Sequence, residues 1–149
     1  MAPDGGADAS AAGGVGAGVG GVLPGREILE GTPLARVRAL CLAFPATQER
    51  ASHGEPCWFA GGKKMFVMTS QRHHDDRVGF WAAAPEGVQG SLVAAEPERY
   101  FRPPYVGSRG WVGVRLDVDD IDWDRVEAVV EDAWRQVAPK RLQAEHDTR

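Results

Sequence analysis

Apolar residues recur at helical spacing in two segments, one beginning near residue 32 and one near the end of the chain. The first follows Thr32-Pro33, an N-cap residue and a proline at the first helical position, and its apolar positions are Leu34, Val37, Cys41 and Phe44. The second ends at Pro139, and its apolar positions are Trp123, Val126, Val130, Ala133, Trp134 and Val137. Each stripe predicts an amphipathic helix with one buried face.

Short apolar runs between these helices predict four strands, at 57–60, 63–69, 77–83 and 111–116, and one helix at 85–95. Gly61-Gly62 predicts a tight hairpin turn, the polar residues 70–76 predict a second hairpin, and the polar stretch before residue 57 predicts a loop. The predicted order is α-β-β-β-α-β-α. This order favours a single α+β domain with a mainly antiparallel sheet and helices on one face.

Composition divides the chain into a domain and two tails. Residues 1–31 are dominated by Gly and Ala, so they cannot bury enough apolar surface to fold and are predicted to be disordered. The domain is expected at 32–143 and a short C-terminal tail at 144–149. Residues 16–21 fit G-x-G-x-x-G, but neither a strand nor a helix flanks them, so this pattern does not predict a dinucleotide site.

The charge is unevenly distributed along the chain. The net charge is −4, yet residues 33–116 carry eleven Lys or Arg against seven Asp or Glu, while residues 117–132 carry eight acids and one Arg. A basic face beside an acidic helix is therefore compatible with an acidic chain. No apolar run is long enough to span a membrane, and no export signal precedes the two cysteines, so a cytoplasmic protein with reduced thiols is expected.

Three candidate chemical sites fail on spacing. His53 and Cys57 are separated by Pro56, which argues against one strand presenting both as base and nucleophile. The consecutive ligand types at 73–76 (His73, His74, Asp75 and Asp76) lack the paired spacing of zinc sites. The acids at 120–131 follow an EF-hand register, but Arg125 occupies the position that requires Gly. We therefore expect neither an enzyme nor a metal or other cofactor.

A basic and aromatic set remains: Lys63, Lys64, Arg72, Arg77, Arg109, Trp111 and Arg115. Flexible, glycine-flanked Arg next to an aromatic residue suits phosphate contact combined with base stacking. An aromatic pocket for a flat small molecule is the alternative, and its lining would be Trp58, Trp81, Tyr105 and Trp111.

Three segments in order resemble the MmcQ/YjbR family of small cytoplasmic bacterial proteins: "SHGEPCWFAGGKKMF" (52–66), "RVGFWAAAP" (77–85) and "PPYVGSRGWVGVRL" (103–116). The closing "VAPKRL" also fits, and the resemblance extends from about residue 32 to residue 142. Ser52, Gly54 and Pro56 match the family's Ser-x-Gly-x-Pro turn, Lys64 and Phe66 its Lys-x-Phe, and Gly110-Trp111 its Gly-Trp. The resemblance implies a double-wing fold, likened to DNA-binding domains, in which two hairpin wings face the duplex.

The residues and the resemblance together lead to one hypothesis and one alternative. The hypothesis is a non-enzymatic protein that binds DNA weakly or conditionally, because its net charge is negative, through basic hairpin wings and an aromatic and Arg-bearing sheet face. The alternative is a small-molecule-binding protein, of a sequestering or resistance type, with an aromatic pocket.

Overall fold

The computed structural model describes residues 27–72 and 75–149. Residues 1–26 of the predicted tail, with the glycine pattern at 16–21, lie outside the described residues, as do His73 and His74. Across the two described ranges, every helix is too short or too polar to cross a membrane.

Four α-helices and six β-strands form the described fold. The helices are α1 (Pro33–Leu42), α2 (Val88–Ala95), α3 (Trp123–Val137) and α4 (Lys140–Asp147). The strands are β1 (Thr47–Ser52), β2 (Glu55–Ala60), β3 (Lys64–Gln71), β4 (Val78–Ala82), β5 (Tyr100–Phe101) and β6 (Val112–Arg115). The strands form one sheet in the order β1-β2-β3-β4-β6-β5, and each neighbouring pair is antiparallel. The predicted α+β class and antiparallel sheet are confirmed.

Local signals account for both long helices. Thr32 caps α1 by accepting a hydrogen bond from the Ala35 amide (3.3 Å), and Pro33 occupies the first helical position. Asp122 caps α3 in the same way through the Arg125 amide (3.1 Å). The two helices contact each other, and α3 also packs on β3.

The core lies between these helices and the sheet. Phe44 follows α1 and stacks on Trp134 of α3 with ring centroids 4.8 Å apart, and it meets the edge of Phe66 at 6.3 Å. A β-bulge in the β2–β3 pairing leaves Phe66 without a direct partner, because Trp58 pairs with Val67 and Phe59 pairs with Met65. At this bulge the Phe66 ring contacts Phe44, on the side of the sheet where α1 and α3 pack. The core also includes Ile28, 7% exposed, which precedes the predicted domain boundary at residue 32.

Strand β1 replaces the polar loop predicted before residue 57, so that prediction is wrong. Every residue of β1 is exposed or half-buried, and β1 lies at the edge of the sheet, where β2 is its strand partner within residues 27–72 and 75–149. The strand therefore lacks the apolar alternation on which the sequence analysis relied. Its hairpin turn is His53-Gly54, with both φ angles positive (55° and 81°), and this was the one local signal available.

Helix α4 covers residues that were predicted as a C-terminal tail. It begins after Pro139, and its buried Leu142 lies against the β2–β3 turn: a Cβ on Gly61 would be 3.5 Å from the Leu142 Cδ1 atom. This packing brings the first turn of α4 next to the turn that carries Lys63.

Candidate nucleic-acid interface

The antiparallel register assigns every connection to one of two opposite ends of the sheet. Ala60 pairs with Lys64, so the β2–β3 turn lies at one end of the sheet. Ala82, the last residue of β4, pairs with Val112, the first residue of β6, at this same end. The β5–β6 loop at 102–111 lies at this same end. The β1–β2 and β3–β4 turns lie at the other end. Because β3 has eight residues, these ends are roughly 20–25 Å apart.

The first of these ends is strongly basic. Residues 61–64, 102–111 and 138–141 together carry six cationic residues and no Asp or Glu. We call this surface the basic end, and its cations are Lys63, Lys64, Arg102, Arg109, Lys140 and Arg141. All six are exposed, and in the part of the chain that the structure describes none has an ion-pair partner. Glu86, in the β4–α2 connection, is an acid at this end, and the later turns of α4 add Glu145 and Asp147, which pair with Arg149 and Arg135.

The β2–β3 turn is braced from β1. Gly61 and Gly62 both have positive φ (60° and 75°), and the Lys63 amide donates to the Ala60 carbonyl (3.1 Å). The Arg50 guanidinium donates to the Gly62 carbonyl (3.0 Å) and lies 3.9 Å from the Phe59 ring centroid. The two lysines therefore project from a supported turn, as the Gly-Gly signal predicted.

Sequence reasoning missed Lys140 and Arg141 as members of the site. Both occupy the first turn of α4, where the positive end of the helix dipole disfavours cations. An anion placed there would interact favourably with both side chains and with the helix end. "VAPKRL" was the available signal, but its position beside the β2–β3 turn depends on tertiary packing.

The 102–111 loop contributes the other two cations. Arg102 lies across Gly107, where a Cβ would be 2.7 Å from the Arg102 Cγ atom, so this contact requires glycine. The Arg109 guanidinium is 5.7 Å from the Trp111 ring centroid. Gln89 of α2 donates its side-chain amide to the Gly107 carbonyl (2.9 Å) and to the Trp111 carbonyl, which fastens the loop to the domain.

Arg72 and Arg77 lie at the opposite end, so the predicted cations do not form one surface. Arg77 donates two hydrogen bonds to Asp117, both 2.9 Å, and these bonds hold the pKa of Asp117 below its usual value. Residues 75–77, 96–99 and 116–122 carry eight acids against two Arg. Consecutive hairpins that share a strand must turn at opposite ends, and this is why β3 separates Arg72 and Arg77 from Lys63 and Lys64.

The predicted aromatic and Arg-bearing sheet face is not an exposed surface. Trp111 is only 5% exposed and is part of the core. Arg115 is half-buried, and its guanidinium lies 4.5 Å from the Phe101 ring centroid. The expectation that Trp111 acts from an exposed face is therefore wrong, because its ring packs inward and supports Arg109 instead.

The alternative aromatic pocket is not formed by its predicted residues. Trp58, Trp81 and Trp111 are 0%, 3% and 5% exposed, whereas Tyr105 is 79% exposed. The Trp58 indole N–H donates to Glu49 (3.0 Å), which also accepts two hydrogen bonds from Arg38 of α1. The three tryptophans therefore belong to the core, whereas Tyr105 lies on the surface.

His53 and Cys57 are not positioned to act together as a base and a nucleophile. His53 is exposed in the β1–β2 turn, whereas Cys57 is fully buried within β2. Burial, with a smaller contribution from the charge of Glu55, raises the pKa of the Cys57 thiol far above neutrality. Burial and the raised pKa both disfavour the reactive thiolate in the folded protein.

We expect neither Cys57 nor the equally buried Cys41 to react with an aromatic disulfide reagent under native conditions. Both should react once the protein is unfolded in denaturant, because burial is what protects them. Fast labelling of one thiol per chain in the native protein would contradict the burial described above.

These features define a small α+β protein whose antiparallel sheet separates a basic end from an acidic one. A comparison with protein-family models matches residues 42–136 to the family model YjbR. The match covers more than half of the chain, so the protein belongs to the YjbR family, as the sequence resemblance indicated. No curated protein and no solved structure matched the chain.

Proposed function

We propose that this protein binds DNA through its basic end, in the cytoplasm and without catalysing a reaction. The observation that carries the proposal is the convergence of six exposed cations from three separate segments, none of which contains an acid. Lys and Arg that contact phosphates supply most of the sequence-independent affinity for DNA.

Two loops would act as the wings of the double-wing arrangement. The β2–β3 turn and the 102–111 loop project from the same end of the sheet, and the first turn of α4 lies beside the former. A pair of projecting loops with cations on both matches two neighbouring stretches of phosphates better than a flat surface would. The wing that includes Arg72 and Arg77 is not part of this proposal.

Binding of this kind should be weak at physiological salt. The chain has a net charge of −4, and the acids concentrate at the end of the sheet opposite the cations. Such a charge distribution orients the protein on a polyanion but adds repulsion as the ionic strength falls and screening weakens. Affinity is therefore expected to depend on the local basic end and to decline steeply with added salt.

The test is DNA binding by the Lys63→Ala/Lys64→Ala/Arg109→Ala protein. At about 50 mM salt the wild type should bind a labelled oligonucleotide, and the triple variant should bind it far more weakly, with the slope of log affinity against log salt reduced by about 3. Fluorescence anisotropy over a salt series measures both quantities.

The matched control removes three cations from the other end: Arg72→Ala/Arg77→Ala/Arg125→Ala. Its net charge changes equally, so an equal loss of affinity would mean that net charge alone governs binding and that the basic end is not the interface. No binding of duplex or single-stranded DNA by the wild type at low salt would end the proposal.

A further inference from the structure

Tyr105 is the most exposed large hydrophobic side chain in the part of the chain that the structure describes. It is 79% exposed, compared with 67% for Leu29 and 45% for Leu42. An aromatic ring of this size normally contributes to a core or an interface, because exposing its faces to water forfeits the gain from burying them. The ring belongs to the 102–111 loop of the basic end, where its exposed area is available to a ligand.

The backbone at Tyr105 adopts a strained conformation. Its φ and ψ are 64° and −64°, and the Val106 amide donates to the Pro104 carbonyl at 2.7 Å, which closes a γ-turn of the rare type with positive φ. Glycine would adopt this conformation more readily than tyrosine. Strain kept at an exposed loop residue is typical of sites where a side chain must point in one direction.

The loop around Tyr105 is fixed rather than merely exposed. The Gly107 amide donates to the Pro103 carbonyl (3.1 Å), and the Ser108 hydroxyl donates to the Tyr105 carbonyl (3.3 Å). The Gln89 side chain fastens the same loop to α2 through Gly107. The ring is therefore presented by a preorganised turn, which lowers the entropy cost of binding a flat partner.

Cations flank the ring on both sides in the chain. Arg102 lies across Gly107, and Arg109 is held near the Trp111 ring, while the loop contains no acid. A loop with an exposed aromatic residue and two Arg residues provides the two kinds of contact that single-stranded nucleic acids use. Bases stack on the ring, and phosphates on either side of the stacked base meet the cations.

We infer that Tyr105 is a base-stacking residue and that the preferred partner of the basic end is single-stranded DNA. This inference rests on the DNA-binding function proposed above and specifies the form of DNA. A paired base in a duplex offers no open face to a ring on a protein loop, whereas an unpaired base does. Stacking on Tyr105 should therefore account for the preference for single-stranded DNA, whereas the phosphate contacts should contribute affinity for both forms of DNA.

The experiment compares labelled single-stranded and duplex oligonucleotides of the same sequence by fluorescence anisotropy. We expect wild-type protein to bind the single strand more tightly. Tyr105→Ala should weaken single-strand binding by about tenfold or more and leave duplex binding nearly unchanged. Tyr105→Phe should bind like the wild type, because the stacking ring is retained.

Two features make this test specific. Alanine keeps a Cβ at position 105 and with it the backbone strain, so Tyr105→Ala changes the ring and not the turn. Leu29→Ala is the control for removing an exposed hydrophobic side chain, and it should change neither affinity.

The possible failures are separable. If the wild type binds neither form of DNA, the proposed function fails and this inference fails with it. If both forms bind but Tyr105→Ala weakens them equally, or weakens neither, DNA binding stands and the stacking role of Tyr105 is refuted.

Discussion

The Gly79→Ala protein is expected to lose about 3 kcal/mol or more of its free energy of unfolding, at the upper end of the range for overpacked positions. A Cβ at Gly79 would lie 2.1 Å from the backbone oxygen of Val114. The obstacle is the backbone of β6, which pairs with β4 through Gly79 and Arg115, so it cannot move without opening that ladder. Because β6 is what connects β5 to the rest of the sheet, the damage should extend to the 102–111 loop.

Gly90→Ala should instead raise the free energy of unfolding. Gly90 is an exposed residue within α2, and an added Cβ would meet no atom within 4 Å apart from its chain neighbours and the backbone of its own helix, so alanine there should stabilise the helix by about 0.5–1 kcal/mol. Urea unfolding followed by tryptophan fluorescence measures both variants. Two variants of equal stability would show that the β4–β6 contact is looser than described.

Much of the fold could be predicted because the signals are local. Thr32-Pro33 and Asp122 both cap helices where the apolar stripes begin, and Gly61-Gly62 does form a hairpin turn with positive φ at both residues. In each case the information lies within a few residues of the element it specifies. Periodicity and turn chemistry are sufficient under those conditions.

Strand β1 could not be predicted from periodicity because none of its residues is fully buried and its sequence shows no apolar alternation. An edge strand is stabilised by backbone hydrogen bonds to one neighbour, and these leave no mark on the pattern of apolar residues. The turn His53-Gly54 was a weak signal, since His tolerates positive φ better than most residues but lacks the frequency of Asn or Asp in such turns.

One feature of the candidate site follows from the predicted strand order, and another depends on a tertiary contact. Arg72 and Lys63 belong to successive turns around β3, and successive antiparallel turns alternate ends, so their separation follows from the predicted order alone. The proximity of Lys140 to Lys63 follows from Leu142 packing at Gly61, a tertiary contact between segments about 80 positions apart in the sequence.

Reversing the two α4 cations, Lys140→Glu/Arg141→Glu, is expected to lower DNA affinity by about 100-fold at low salt and the salt slope by about 2. Both residues would lose a phosphate contact, and the new carboxylates would also repel the backbone. They would lie beside Lys63 and Lys64 and neutralise part of the remaining positive surface. The family match ends at residue 136, so this effect would come from residues outside the matched range.

The same change should not destabilise the protein, and this separates loss of binding from loss of folding. Acids in the first turn of α4 interact favourably with the helix dipole, by about 0.3–1 kcal/mol each, where the native cations interact unfavourably. The thermal midpoint should therefore stay level or rise while DNA binding falls. Differential scanning fluorimetry alongside anisotropy measures the two together.

Arg72→Glu/Arg125→Glu is the matched double reversal, since it makes the same change of net charge at the acidic end. It should reduce affinity far less, because those residues lie at the opposite end of the sheet and screening weakens their effect over more than a Debye length, about 10 Å at 0.1 M salt. If the α4 reversal binds DNA as the wild type does while Lys63→Ala/Lys64→Ala/Arg109→Ala does not, the interface consists of the two loops alone. In that case the cations of α4 would not contact DNA and would instead bind another anion.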